Sequence, residues 1–154
     1  MQLSEFLDFD AIKPSLSGGN KRALLQQLAQ FAAVRLGANA SEILSSVTER
    51  ERLGSTGFGQ GVAIPHGKID GLNQIYCLFA RLSEPVDYKS IDGQSVDLVF
   101  LLLSPPDAGA EHLKALAAIS RVTRHAPTLE KMRGARSRDA LAAELMGADE
   151  RDAA

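Results

Sequence analysis

"VDLVFLLLSP", residues 96–105, holds an uninterrupted apolar run from Leu98 to Leu103. A strand with one wet face alternates polar and apolar residues. This one does not, so it predicts a strand buried on both faces, inside a sheet covered by helices. Six residues are far too few to cross a bilayer. "QIYCLFARL", 74–82, is a second run rich in β-formers and reads as another central strand. Between the two, Asp92-Gly93 is a turn signal, which predicts short edge strands within 85–94.

Helical patterns flank this pair. Residues 1–19 read as a short amphipathic start closed by a loop at Gly18-Gly19. Asn20 is the expected cap of a first helix with Leu24, Leu25, Leu28, Phe31, Ala32 and Leu36 on one face and Gly37 as its stop. Ser41 is the expected cap of a second, with Ile43, Leu44 and Val47 inward and an end near Leu53-Gly54. After Pro105-Pro106, Leu113, Leu116 and Ile119 mark a helix from about Asp107. Pro127 opens a short helical piece, and Ser137 caps a last helix carrying Leu141 and Leu145. With no repeat, low-complexity tract or long linker, residues 1–154 read as one α/β domain with a mixed sheet between helical layers.

The 154 residues are 45 % hydrophobic and 23 % charged, enough for a core without metal or disulfides. A net charge of −2 argues against nucleic acid or an anionic membrane as partner. Arg121 to Arg138 is a basic stretch, but it lacks interleaved aromatics and reads as a solvated helical face. The lone Cys77 excludes an internal disulfide and reads as a packed hydrophobe. "MQLSEFLDFD" lacks a basic-then-apolar leader, so the expected location is cytoplasmic, with no membrane span. Three histidines and one cysteine show no metal-ligand spacing. His125 reads as a residue near a helix end.

The chemistry concentrates in "GSTGFGQGVAIPHGKIDG", 54–71, which holds six of the 13 glycines and one of the three histidines. A phosphate loop needs four residues between its first Gly and Gly-Lys-Ser/Thr. Gly61 and Gly67 have five between them, and Ile69 replaces the hydroxyl. The dinucleotide fingerprint fails too, because Gly57, Gly59 and Gly61 alternate and follow a helix. Two readings remain. In one, the glycines make a loop around a structural histidine. In the other, His66 accepts a phosphoryl group. A strand Val62–Ile64 would deliver the imidazole to the surface, Gly67 would leave it unscreened, glycine amides would face the dianion, and Arg50 or Arg52 would supply a cation.

"TERERLGSTGFGQGVAIPHGK" (48–68) resembles the active-site segment of enzyme IIA proteins of the phosphoenolpyruvate-dependent phosphotransferase system, nearest their nitrogen-regulatory branch, which is related to the fructose/mannitol IIA domains. "SIDGQSVDLVFLLLSPPDAGAEHLKAL" (90–116) continues the likeness. The resemblance implies a fructose/mannitol-type IIA fold and a phosphotransferase-system carrier without cofactor. It implies that His66 is phosphorylated at Nε2 by a phosphorylated HPr-like protein, with Arg50 and His112 as its site partners, and that the phosphorylation state acts on regulatory targets. Phe58 and Gln60 depart from the commoner residues, and Phe58 would stand near the histidine at the partner surface. Two other functions stay open: a sugar-specific IIA that passes phosphate to a IIB partner, and an interaction module that senses an anion without covalent transfer.

Overall fold

The computed structural model describes residues 1–153, with side chains through residue 149. Two 3-10 turns, Leu3–Glu5 and Phe9–Ala11, lead into strand β1 (Lys13–Leu16) and helices α1 (Lys21–Leu36) and α2 (Ala40–Arg52). Strands β2 (Gly57–Gly59), β3 (Val62–Ala63), β4 (His66–Lys68), β5 (Tyr76–Val86) and β6 (Val96–Ser104) follow. Helices α3 (Gly109–Thr123), α4 (Ala126–Gly134) and α5 (Arg138–Ala153) close the chain.

The six strands form one mixed sheet ordered β1-β5-β6-β3-β2, with β4 also on β6. The run 98–103 is fully buried and central, as its composition requires. Leu98, Phe100 and Leu102 face α3, α4 and α5, together with Ile119, Leu129, Leu141 and Leu145. Val99, Leu101 and Leu103 face α1 and α2, with Leu24, Leu28, Ile43 and Val47. The period of two in a strand thus divides one apolar run between two cores.

One edge of β6 carries β5, antiparallel, with Phe79 opposite Phe100. The other edge carries β3 and then β4, both parallel, at Val62↔Leu98 and His66↔Leu102. β3 and β4 thus lie on one line broken at Ile64-Pro65, where proline has no N–H for the ladder. The expected strand 62–64 therefore ends at Ala63, and His66 opens a second strand instead of standing in a loop.

Asn20 caps α1 through Ala23 N–H at 2.8 Å, and Gly37 ends it with a left-handed φ of 63°. For α2 the cap is Asn39, whose side-chain oxygen accepts Glu42 N–H at 3.1 Å, and Ser41 lies inside the first turn. The edge strands expected in 85–94 do not form. β5 runs on to Val86, which pairs with Val96, and the Asp92-Gly93 turn lies in the loop beyond. α3 begins at Gly109, two residues later than expected, because Pro105–Ala108 closes its own turn, Ala108 N–H to Pro105 O at 3.1 Å. Ser137 caps α5 through Ala140 N–H at 3.0 Å. No helix among the described residues is long and apolar enough to cross a membrane.

Candidate functional site

β4 lies at the sheet edge where the two helical layers meet. α2 packs on it from one face, and α3 begins beside it on the other. Gly67 makes the first contact possible: a Cβ there would stand 2.5 Å from Ser46 Oγ of α2. In its absence, Ser46 Oγ accepts Lys68 N–H at 3.1 Å and donates to Lys68 O at 2.9 Å. Gly67 is thus needed for helix–strand approach, not to unscreen the ring. Ser46, Glu49, Arg50, Leu53, His66, Gly67, Lys68 and His112 line an open cleft of about 310 Å3.

All three residues singled out in the sequence meet here. His66 is half-buried, and its Nδ1 lies 2.8 Å from Ile64 O. A carbonyl only accepts, so Nδ1 carries the proton and Nε2 keeps its lone pair. The proline break frees that carbonyl for the ring. The His112 ring centre lies 5.3 Å from that of His66. His112 is 8 % exposed, in the first turn of α3, and its Nδ1 lies 2.6 Å from Ser104 Oγ. Arg50, in the last turn of α2, donates from Nη1 to Gly54 O at 2.9 Å.

Both imidazoles are held neutral at pH 7. Burial above all, and then the Arg50 charge, lowers the His66 pKa below its ordinary 6.5, against the opposite pulls of the Ile64 carbonyl and Glu51. Burial, followed by repulsion from His66 in its protonated form and from Lys68, lowers His112 to about 4. The cleft therefore offers one unprotonated nitrogen, a neutral imidazole beside it and two cations, Arg50 and exposed Lys68. Among the described residues no cluster of ligating side chains could hold a metal ion.

The glycine-rich stretch does other work. None of Gly54, Gly57, Gly59 and Gly61 lines the cleft. Gly59-Gln60-Gly61 turns β2 into β3, with Gln60 at φ 59° and Gly61 at φ 78°. Asp92 accepts Gln60 N–H at 3.1 Å, and Arg133, paired with Asp97, donates to Gln60 O at 2.5 Å. Phe58 also lies off the cleft, in a separate groove with Ala117, Ser120 and Arg124. Leu53, 85 % exposed, stands at the rim instead.

The sequence reading did not single out Glu51. Its carboxylate pairs with Lys21 Nζ at 2.9 Å, accepts from Tyr88 OH at 2.9 Å and Thr56 N–H at 3.2 Å, and meets Thr56 Oγ1. Those partners hold it ionised, with a pKa below the usual carboxylate range despite burial. A glutamate near a helix end ordinarily reads as solvated, so its pattern carried no signal.

This fold, with one histidine on the edge strand, a second at the start of α3 and an arginine from the facing helix, defines a class. The family model "Phosphoenolpyruvate-dependent sugar phosphotransferase system, EIIA 2" matches residues 5–146, and the chain belongs to that family. It is 47 % identical over 141 residues to a nitrogen regulatory protein of Bradyrhizobium diazoefficiens, covering 92 % of each chain. To that of Pseudomonas aeruginosa it is 38 % identical, covering 82 % of this chain and 83 % of the relative. The crystal structure of nitrogen regulatory protein IIA-Ntr from Neisseria meningitidis superposes with a TM-score of 0.86 at 32 % identity, over 93 % of this chain and 98 % of that one. Mannitol IIA of Escherichia coli shares the fold, with a TM-score of 0.75 at 17 % identity over 90 % and 97 % of the two chains.

Proposed function

We propose that this phosphotransferase-system protein is a histidine phosphocarrier of a nitrogen-regulatory chain. Nε2 of His66 takes a phosphoryl group from a phosphorylated HPr-like protein, and the charge so gained alters which regulatory targets bind. The observation that carries the reading is the bond from His66 Nδ1–H to Ile64 O, which leaves Nε2 as the nucleophile in an open cleft.

In the step, the Nε2 lone pair attacks phosphorus in line with the donor's P–N bond. The new P–Nε2 bond forms as the old one breaks. The donor ring, protonated on its other nitrogen, leaves as neutral imidazole. The His66 ring becomes an imidazolium whose Nδ1–H stays on Ile64 O, so no proton need cross the interface. The transition state is loose, and charge neutralisation and positioning supply most of the rate. Arg50 and His112 provide it as donors to the phosphoryl oxygens.

Nitrogen regulatory relatives match most of this chain. Sugar-specific ones, such as the fructose-specific EIIA of Haloferax volcanii, match 62 % of it. That favours the regulatory role over sugar uptake. The protein would work in the cytoplasm. Incubation with enzyme I, an HPr-type protein and labelled phosphoenolpyruvate tests the proposal. The expected label is acid-labile, alkali-stable and absent in His66→Ala. Equal labelling of His66→Ala would overturn the site. Onward transfer of the label to a IIB protein would favour the sugar role, and binding of phosphate without label would favour an anion sensor.

A further inference from the structure

Ser104 ends β6, and its hydroxyl is sealed from solvent at 0 % exposure. Its carbonyl accepts Ile69 N–H at 2.9 Å, and its residue pairs with Lys68 on β4. Pro105 follows, and the turn at 105–108 brings the first turn of α3 back over it. The side chain is thus fixed by backbone on both sides.

Among the described residues, the one group within hydrogen-bonding reach of Ser104 Oγ is His112 Nδ1, at 2.6 Å. A buried hydroxyl proton left without an acceptor costs about 1–3 kcal/mol. If Nδ1 carried the proton, the imidazole would donate to Oγ and the serine proton would have nowhere to go. The balance closes only when Ser104 donates and Nδ1 accepts. The imidazole is neutral, so its single proton then sits on Nε2, which has no protein partner among the described residues and belongs to a ring that lines the cleft.

We infer that Ser104 is a positioning residue that locks His112 as the Nε2–H tautomer, so that a neutral hydrogen-bond donor faces an oxyanion on His66. The two imidazoles then carry opposite tautomers by design of their partners. A backbone carbonyl takes the Nδ1 proton of His66 and leaves a nucleophile. A serine hydroxyl occupies Nδ1 of His112 and leaves a donor. The consequence for transfer rests on the phosphocarrier reading, whereas the tautomer itself does not.

Two-bond 1H–15N correlation spectra of the unmodified protein at pH 7.5 test the tautomer without any variant. The expected pattern for His112 is a protonated Nε2 and an unprotonated Nδ1, with the reverse for His66. A protonated Nδ1 on His112 overturns the inference. Ser104→Ala should mix the two His112 tautomers, leave the His66 pattern intact and slow label uptake by the factor by which the Nε2–H fraction falls, about twofold for an even mixture. Uptake at the wild-type rate in that variant, with its tautomers mixed, would overturn the positioning role. Wild-type protein that takes up no label would instead count against the phosphocarrier reading, with the spectra still deciding the tautomer.

Discussion

Ser46 of α2 occupies the space that a side chain on residue 67 would fill, and its hydroxyl bonds both backbone groups of Lys68. The helix that bears Arg50 is therefore seated on the strand that bears His66 by a serine–glycine contact.

Gly67→Ala is expected to destabilise the fold by about 1–3 kcal/mol, the range for overpacking. It should also slow label uptake beyond what the lost stability explains, because α2 must shift away from β4. Ser46→Ala in the same chain removes the 2.5 Å contact and leaves Ser46 Cβ at 3.1 Å. It should recover part of both. Urea denaturation and uptake assays on the single and double variants check this, and equal losses in both variants would refute the contact as cause.

Glu51→Gln removes a buried charge from Lys21 and weakens the acceptor of Thr56 and Tyr88. Breaking such a pair costs several kcal/mol when fully buried. With Lys21 partly exposed, about 2–3 kcal/mol is expected. The turn at 54–56 loosens with it, and so does the Gly54 carbonyl that steadies Arg50. Thermal unfolding reads the first effect. The Arg50 side-chain N–H resonance reads the second, and should sharpen or move towards free guanidinium.

His112 gives the fold an acid-sensitive contribution. Its folded pKa of about 4 lies below the ordinary imidazole value, so the unfolded chain binds more protons in the window between. Stability from this group is complete above roughly pH 6.5 and falls as pH drops towards 4 and below, by on the order of 3 kcal/mol in all. His66, lowered in the same direction, adds to the slope. Denaturation midpoints of wild type and His112→Gln across pH 4–7 should converge on acidification, and parallel curves would contradict the assignment.

Gly61→Ala separates the two uses of glycine. Its φ of 78° and a Cβ 2.5 Å from Arg133 Nη2 predict a loss of about 1–3 kcal/mol. Because Gly61 does not line the cleft, label uptake per folded molecule should stay within twofold of wild type. A tenfold fall would restore the view that these amides serve an anion.

The elements read best where one residue type answers one need. The run 98–103 has no polar position and could only be central, and Asn20 and Gly37 are the strongest cap and stop in their windows. Errors arose where two answers competed. Asn39 and Ser41 both cap well, and the one preceding the first turn won. β5 passes Pro85 because Val86 still finds a partner in Val96. β4 is three residues with a glycine in the middle and a proline before it, so local propensity cannot show it and pairing with β6 creates it. His66 and Arg50 were candidates from the local chemistry and His112 from the resemblance, and the fold brings all three to one cleft. Ser104 and Glu51 were not legible, since a serine closing a strand and a glutamate on a helix look unremarkable until their distant partners are in place.

β6 anchors the parts of the cleft. His66 hangs from one of its edges, His112 follows it in the chain, and Arg50 rides on a helix packed against its far side. Severing either histidine's attachment to β6 would therefore open the cleft. Amide exchange at Ile69, which donates to Ser104 O at 2.9 Å, and at Leu102, which donates to Pro65 O at 3.0 Å, should accordingly report the release of β4 from β6.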